Sequence, residues 1–341
     1  MSEKKAVGKV AFEYCAKYPQ VPSQTIARML LKEHPKLFSS LNQARHIIRY
    51  YRGQQGEKSR SRNNDKTHWR KAGSVFDGCI PLPEPITEVL PWSVCKLRFN
   101  RALVLPDLHI PFQDNQAILA AIKHGKHLGV DCVILAGDMM DFYGISSWEK
   151  NPELRIDLSD EVQLGQQFLA WLRQQFPKAR IVYLEGNHEE RLWRHLWQKN
   201  PQVYNLKDSD GKRLLGLEVV MGLSEWGIEL VADRRPILCG EHLYLLHGHE
   251  WKVPMMTPVN PARTLFLRVH ANAICGHLHQ KSEHSEKSVD RVVSCWSMGC
   301  LCGLHPKYMP LNKWSTGFSV IELSKAEWQV NNLKIIKGQI V

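Results

Sequence analysis

The chain has 341 residues, 43% of them hydrophobic and 23% charged, which indicates a globular protein with one large domain and a smaller part. No apolar run approaches the roughly 20 residues of a membrane span, and the first residues lack the apolar segment of a secretion signal, so no membrane partner is expected. The nine cysteines form no C-x-x-C pair, and their odd number favours reduced thiols and a cytoplasmic location. The closely spaced Cys300 and Cys302 are expected to be buried rather than bound to metal.

The net charge of +11 is confined to one part of the chain. Residues 1–75 hold 16 Lys and Arg against 5 Asp and Glu, whereas residues 76–341 hold 29 of each sign. A basic appendage on a neutral body indicates that the appendage contacts an anionic partner.

Three short helices are predicted in residues 1–52. The first covers 3–18, and the second follows Ser23, which suits an N-cap. The third follows Ser40, and Gln43 completes the pattern of a capping box. This order of helices is typical of a helix-turn-helix module.

The third helix has two stripes at helical spacing. One stripe is apolar and predicts a core-facing side. The other stripe is basic and is formed by Arg45, Arg49 and Arg52. We expect these arginines to bind DNA or RNA; the alternative is a small helical bundle whose arginines are only solvated.

Residues 53–95 are predicted to be a linker. Residues 53–73 contain only Trp69 and Ala72 as apolar residues and cannot form a core, and the rest is rich in proline. The predicted domains are therefore a basic helical module over 1–52, a flexible linker over 53–95 and a large domain over 96–341.

In the large domain, strands alternate with helices, which predicts an α/β fold. Five predicted strands, at 102–105, 132–136, 180–184, 242–246 and 272–275, each end in a polar cluster. The last part of the chain indicates two or three antiparallel strands. The clusters are, in order, Asp107/His109, Asp138/Asp141, Asn187/His188, His247/His249 and His277/His279.

The position of these clusters indicates a binding site, because ligands of open α/β sheets bind beyond the carboxyl ends of the strands. Imidazole, carboxylate and amide groups without thiolate suit manganese, iron, zinc or nickel. A single histidine or Gly-Asp turn is usually structural. Five clusters at one topological position instead predict a metal centre.

The motifs D-L-H, G-D-M-M-D, G-N-H-E, H-G-H and G-H-L-H, in this order over about residues 96–335, resemble the calcineurin-like metallophosphoesterase superfamily. The resemblance implies two packed mixed β-sheets flanked by helices. It also implies two divalent metal ions, for which manganese is expected and iron, zinc or nickel are alternatives. One ion would be held by Asp107, His109, Asp138 and His279, and the other by Asp138, Asn187, His247 and His277.

The resemblance also implies roles beside the metals. His188 would be the proton donor or transition-state stabiliser, and Asp141 the carboxylate that orients it. Arg191 has the position at which some phosphatases of this superfamily hold phosphate. His249 has no fixed role there and is expected to contact substrate at the rim.

One departure from the superfamily concerns the substrate. Protein phosphatases of this kind usually continue G-D-x-x-D with Arg-Gly, whereas Phe142 and Tyr143 follow here, which argues against a phosphoprotein. Phe142, Tyr143 and Trp148 either stack on bases near the site or pack at its rim.

The sequence therefore predicts a metallophosphoesterase that hydrolyses phosphodiester bonds with a hydroxide activated by two metal ions, with nucleic acid as the substrate class. One alternative is a phosphomonoesterase for a small molecule or a phosphoprotein. Another is a nucleic-acid-binding regulator with an inactive phosphoesterase body. The helical front and basic linker are similar to those of phage-encoded members. The oligomeric state is left open.

Overall fold

The computed structural model describes residues 3–56, 59, 92–251, 259–287, 289–324 and 327–341. The chain divides into two compact units, Met1–Val89 and Leu90–Val341. Most of the predicted linker at 53–95 lies outside the described residues.

The first unit contains three helices, α1 (Glu3–Lys17), α2 (Ser23–Glu33) and α3 (Leu41–Tyr51). Their apolar sides share one core, whose fully buried members include Ala11, Leu30 and Ile48. The apolar stripe predicted for the third helix therefore faces this core.

Two predicted caps in this unit have different outcomes. Ser40 caps α3, because its hydroxyl accepts from the backbone N–H of Gln43 at 3.2 Å. The predicted N-cap at Ser23 is wrong: Pro22 is the cap residue, and Ser23 begins α2. Its hydroxyl donates to Oε1 of Gln54 and accepts from Arg52, so partners distant in sequence replace the local cap.

The second unit is built from two mixed β-sheets. Its strands are β1 Cys95–Leu97, β2 Arg101–Leu105, β3 Cys132–Leu135, β4 Arg180–Leu184, β5 Ile228–Val231, β6 Ile237–Cys239, β7 Leu243–Leu246, β8 Ala273–Cys275, β9 Ser282–Lys287, β10 Val292–Ser297, β11 Gly317–Leu323, β12 Trp328–Ile336 and β13 Gln339–Ile340. One sheet has the order β13-β12-β11-β2-β3-β4-β5, and the other has the order β1-β6-β7-β8-β10-β9.

The helices of this unit connect the strands. They are α4 Asn115–Leu128, α5 Leu158–Gln175, α6 Glu190–Lys199, α7 Pro201–Tyr204, α8 Leu217–Val220 and α9 Pro261–Val269. Local signals fix the ends of the long ones. Asp114 caps α4, Gly129 ends it at a φ of 63°, and Asp157 and Asp160 form a capping box at the start of α5.

Successive side chains of a strand point to opposite faces of its sheet, and this alternation gives the unit two separate layers of hydrophobic core. In β2, Leu103 and Leu105 pack with apolar residues of α4 and α5, while Ala102 and Val104 pack with the second sheet. Each sheet therefore buries one face against the other sheet. The predicted fold, two packed mixed sheets flanked by helices, is confirmed.

Some elements were not predicted. Between the predicted strands at 180–184 and 242–246, the structure has β5, β6 and two short helices, α7 and α8. The strand β9 has the sequence S-E-H-S-E-K and lies at the edge of its sheet, mostly exposed. An edge strand with no buried face carries no apolar alternation, which is the pattern that reveals strands.

The topology brings the polar clusters together. β2, β3 and β4 run parallel in one sheet, and β7 and β8 run parallel in the other. Of the described helices, none is long and apolar enough to cross a membrane.

Candidate metal centre

The five polar clusters converge where these strands end. Asp107, Asp138 and His247 are almost completely buried there, and His109 and His279 are each 6% exposed. Several predicted ligands also have left-handed backbone conformations, which non-glycine residues rarely adopt and which concentrate at functional sites. Their φ angles are 49° for Asp107, His109 and Asp138, 67° for His277 and 54° for His279.

One group of donors lies around Asp107. Nε2 of His279 is 3.3 Å from Oδ1 of Asp107 and 3.1 Å from Nε2 of His109. Nε2 of His109 is also 3.7 Å from Oδ2 of Asp138. Two ring nitrogens at this distance could both bind one ion, since two ligands about 2.1 Å from a metal at right angles are about 3 Å apart.

A second group lies on the other side of Asp138. Nε2 of His247 is 3.2 Å from Oδ2 of Asp138 and 3.1 Å from Oδ1 of Asn187. Donor atoms of Asp138, His247 and His277 all lie within 4.8 Å of one another. Asp138 is thus shared by both groups, and these are the sets that the superfamily resemblance implied.

In three of these histidines, Nδ1 has a partner of its own, and this contact turns Nε2 toward the cluster. Nδ1 of His247 is 2.9 Å from the carbonyl of Ala136, and Nδ1 of His109 is 3.1 Å from Oδ2 of Asp141. Nδ1 of His279 faces Sγ of Cys302 at 4.0 Å. Such partners fix the tautomer and orientation of metal-binding histidines.

Cys300 and Cys302 are buried, as predicted.

The electrostatics of the cluster also suit cations. Burial raises the pKa of the Asp138 carboxyl, but His247 and His188 outweigh it and hold this pKa well below its usual range. Burial and the neighbouring His247 lower the pKa of His277 to about 3, which keeps it neutral. Although burial opposes it, Asp107 raises the pKa of His279 to about 9, and Asp138 raises that of His247, so both rings face carboxylates that favour positive charge at this place. Carboxylates, imidazoles and an amide oxygen form a donor set that fits two divalent metal ions.

His188, Asp141 and Arg191 form a group beside these donors. Nδ1 of His188 is 2.9 Å from the backbone carbonyl of Asp141, while the Asp141 carboxylate is closer to His109 than to His188, at 3.1 Å against 3.5 Å. Arg191 donates to the same carbonyl, and its Nη2 is 2.9 Å from Nε2 of His188. Asp141 thus contacts His188 mainly through its backbone.

The aromatic residues expected near the site differ in exposure. Phe142 is fully buried and cannot stack on a base, so that part of the expectation is wrong. The Tyr143 hydroxyl accepts from the backbone N–H of Asn151, whereas Trp148 is 78% exposed. His249 lies with Nε2 3.0 Å from Oε1 of Glu190.

In the first unit, the three arginines of α3 differ in their contacts. Arg45 and Arg49 are exposed. The guanidinium of Arg52 donates to the carbonyls of Tyr18 at 2.7 Å and Pro19 at 3.3 Å, and so ties α3 to the turn after α1. Arg49 makes one long contact, from Nη2 to the carbonyl of Gln54 at 3.5 Å. Arg45 and Arg49 thus lie at the surface, where a partner can reach them.

The sequence did not reveal three glutamates that support the site. Oε2 of Glu189 accepts from the backbone N–H groups of Asp138 at 3.0 Å and Gly186 at 2.7 Å, and its Oε1 accepts from Met140 N–H and the Tyr183 hydroxyl. Glu250 accepts from two backbone N–H groups of the H-G-H loop, and Glu190 holds His249. The only local signal was their position: Glu189 ends the motif G-N-H-E, and Glu190 and Glu250 directly follow the motifs G-N-H-E and H-G-H.

We predict that Glu189→Ala destabilises the protein by about 3–5 kcal/mol, because it leaves several buried N–H groups without an acceptor. Tyr183→Phe is the matched control. It removes one of the four hydrogen bonds and should cost about 1 kcal/mol. The measurement is urea unfolding followed by circular dichroism; equal midpoints for Glu189→Ala and the wild type would contradict this role.

Several known proteins are similar to this chain in sequence. The calcineurin-like phosphoesterase family model matches residues 101–281. The Gene 54 protein of Mycobacterium phage L5 is 25% identical over 260 residues, which are 70% of this chain and 95% of that protein. The Gene 54 protein of Mycobacterium phage D29 is 25% identical over 186 residues, which are 53% of this chain and 70% of that protein.

Similar solved structures include Vps29 from Cryptosporidium parvum, at 12% identity and a TM-score of 0.37 over 71% of this chain and 95% of that one. A dimetal phosphatase from Danio rerio aligns at 12% identity and a TM-score of 0.33 over 68% and 95% of the two chains. Since the family model covers more than half of the sequence, this chain belongs to the calcineurin-like phosphoesterase family.

Proposed function

We propose that this protein is a metal-dependent phosphodiesterase with a two-metal centre, acting on nucleic acid. The observation that carries the proposal is the sharing of the buried Asp138 between two groups of donors. Its Oδ2 lies 3.7 Å from His109 on one side and 3.2 Å from His247 on the other. A carboxylate in this position can bridge two cations.

In the proposed centre, Asp107, His109, Asp138 and His279 hold one ion, and Asp138, Asn187, His247 and His277 hold the other. Two divalent ions, which we propose to be manganese, would supply Lewis acidity and an activated water for attack on phosphorus. The protein's part is to fix these donors and to bind and orient the phosphate beside them.

His188 is the proposed proton donor to the leaving oxygen. Burial lowers its pKa, but Asp138 and Asp141 outweigh burial and raise this pKa above its usual value. Nη2 of Arg191 is 2.9 Å from Nε2 of His188 and can donate to it only while Nε2 carries no proton. If Nε2 is protonated, both atoms are donors and the hydrogen bond is lost. We therefore expect the substrate phosphate to draw Arg191 away when His188 carries its second proton.

The diester preference is supported by the residue after G-D-M-M-D. A monoester dianion needs more positive charge than a diester. At this position the chain has the buried Phe142 instead of a cationic side chain. With two ions, two ligand carboxylates and a hydroxide, the centre itself would carry a formal charge of +1, which attracts a phosphate anion.

The first prediction concerns the metals. The protein loaded with manganese should contain two ions per chain and hydrolyse bis-p-nitrophenyl phosphate, and chelation should abolish this activity. Asp138→Asn should lower kcat/KM by more than about 100-fold, since a bridging ligand should matter at least as much as an outer-shell partner. Asp210→Asn, in an exposed loop, is the control. Elemental analysis that finds no bound metal would refute the centre and favour an inactive regulator.

The second prediction concerns His188. His188→Asn should lower kcat by about 10²–10⁴-fold on diesters with poor leaving groups while metal content stays normal. The loss should shrink for nitrophenolate, which needs little protonation. His195→Asn on the same helix is the control. An equal loss on good and poor leaving groups would argue against proton donation.

The third prediction concerns the basic front. We propose that residues 1–75 bind DNA or RNA without taking part in the chemistry. A chain beginning at Val75 should keep its rate on bis-p-nitrophenyl phosphate, because all proposed ligands follow Leu105. It should lose affinity for polynucleotide and most of the salt dependence, whose slope is about 0.9 per phosphate contact on duplex DNA.

The test in the full chain measures polynucleotide binding by fluorescence anisotropy at increasing salt concentrations. Arg45→Ala with Arg49→Ala should reduce the slope by about 2 if each arginine contacts one phosphate. Lys32→Ala with Lys36→Ala removes the same charge from exposed positions outside α3 and should change the slope less. If the full and shortened chains bind equally, the front has another role.

A further inference from the structure

A basic cavity of about 670 Å³ lies directly beside the proposed metal ligands. Asn187 and His277 line it at the metal centre. Its described lining contains no aspartate or glutamate. Its cationic lining consists of four arginines, Arg191, Arg194, Arg234 and Arg268. The volume falls within the range of about 300–1,000 Å³ for sites that hold a small ligand.

The buried Glu190 fixes part of this basic surface. Its carboxylate receives Nε and Nη2 of Arg234 at 2.6 and 2.7 Å, and it also pairs with Arg194. Glu190 is 1% exposed and does not line the cavity, so it binds these arginines from the protein interior. Even with Glu190 and Asp141 counted, the four arginines leave an excess of two positive charges.

Arg268 stands apart from this network. It lies on α9, lines the cavity and is partly exposed, and it has no acidic partner among the described residues. Its charge is therefore available to a ligand. A guanidinium in this situation suits a phosphate, which it can bind with two parallel hydrogen bonds.

Two tryptophans complete the cavity. Trp148 is 78% exposed and Trp251 is 52% exposed, and both line the same space as the arginines. Exposed indole rings are stacking platforms for nucleic-acid bases, worth about 1–3 kcal/mol for each base. Arginines and indoles together match a ligand that alternates phosphates with flat bases.

We propose that this cavity binds the nucleotides next to the scissile phosphate of a single-stranded polynucleotide. Arg234 and Arg268 contact the adjacent phosphate, and bases stack on Trp148 and Trp251. The inference rests on the proposed phosphodiesterase and names its substrate class. An open cavity of this volume has room for one or two nucleotides of a single strand.

The test compares substrates with and without a neighbouring nucleotide, using the full chain loaded with manganese. The measured quantity is the ratio of kcat/KM for hexathymidylate to kcat/KM for bis-p-nitrophenyl phosphate. Arg268→Ala should lower this ratio about 10-fold, the effect expected for one charge-assisted hydrogen bond. Trp148→Ala should lower it by a similar factor. Because both rates come from one sample, partial unfolding cancels.

Arg263→Ala is the matched control, since it removes the same charge from an exposed position on the same helix outside the cavity. Its ratio should equal that of the wild type. A ratio that stays constant in Arg268→Ala and Trp148→Ala would overturn the proposal. So would a wild type that cleaves bis-p-nitrophenyl phosphate but not hexathymidylate, or that prefers the strand in a duplex.

A binding measurement separates this inference from the proposed activity. Anisotropy of labelled hexathymidylate is followed in the Arg45→Ala, Arg49→Ala background, which reduces the contribution of the basic front. Adding Arg268→Ala should weaken binding about 10-fold, whether or not turnover occurs, and unchanged binding would overturn the inference. Failure of the wild type to hydrolyse either substrate would refute only the proposed phosphodiesterase.

Discussion

The buried carboxylate of Asp138 is the constraint on which the site depends. It is 1% exposed, and burial of an ionised group is costly unless charges and hydrogen bonds compensate it. Imidazoles approach Oδ2 from both sides, and the backbone N–H of His188 donates to Oδ1 at 2.9 Å. The loops after β3, β4 and β7 are therefore positioned by one side chain, and two cations would complete its compensation.

Glu189 compensates its own burial in a different way. Burial and the nearby Asp138 raise the pKa of this carboxyl, and no arginine or lysine of the described part of the chain is paired with it. Its carboxylate oxygens instead accept hydrogen bonds from backbone N–H groups and from the Tyr183 hydroxyl. Because the N–H donors come from the loops after β3 and β4, Glu189 joins the loop of Asp138 to the loop of Asn187. The two carboxylates thus have different roles: Asp138 faces the proposed metal centre, and Glu189 joins the loops behind it.

The sequence predicted the parts of this site that local pattern controls. Strands of buried apolar residues followed by short polar motifs predicted where Asp107, Asn187 and His277 lie, because parallel strands place their carboxyl ends at one edge. The supporting contacts depend on tertiary partners and leave no local pattern. The sequence predicts no role for Glu189, and it predicts an N-cap at Ser23 that contacts with Gln54 and Arg52 replace.

The net charge of a segment is another property from which the sequence alone predicted too little. Residues 76–341 hold equal numbers of acidic and basic side chains, so a sum over the sequence assigned all interest in anions to the first 75 residues. Folding separates these charges in space. Acids such as Glu190 are buried behind the cavity, whereas Arg268 lines it. A neutral body can thus carry a strongly basic surface beside the proposed phosphoester site, and the basic front would add affinity for a strand that we propose the cavity binds.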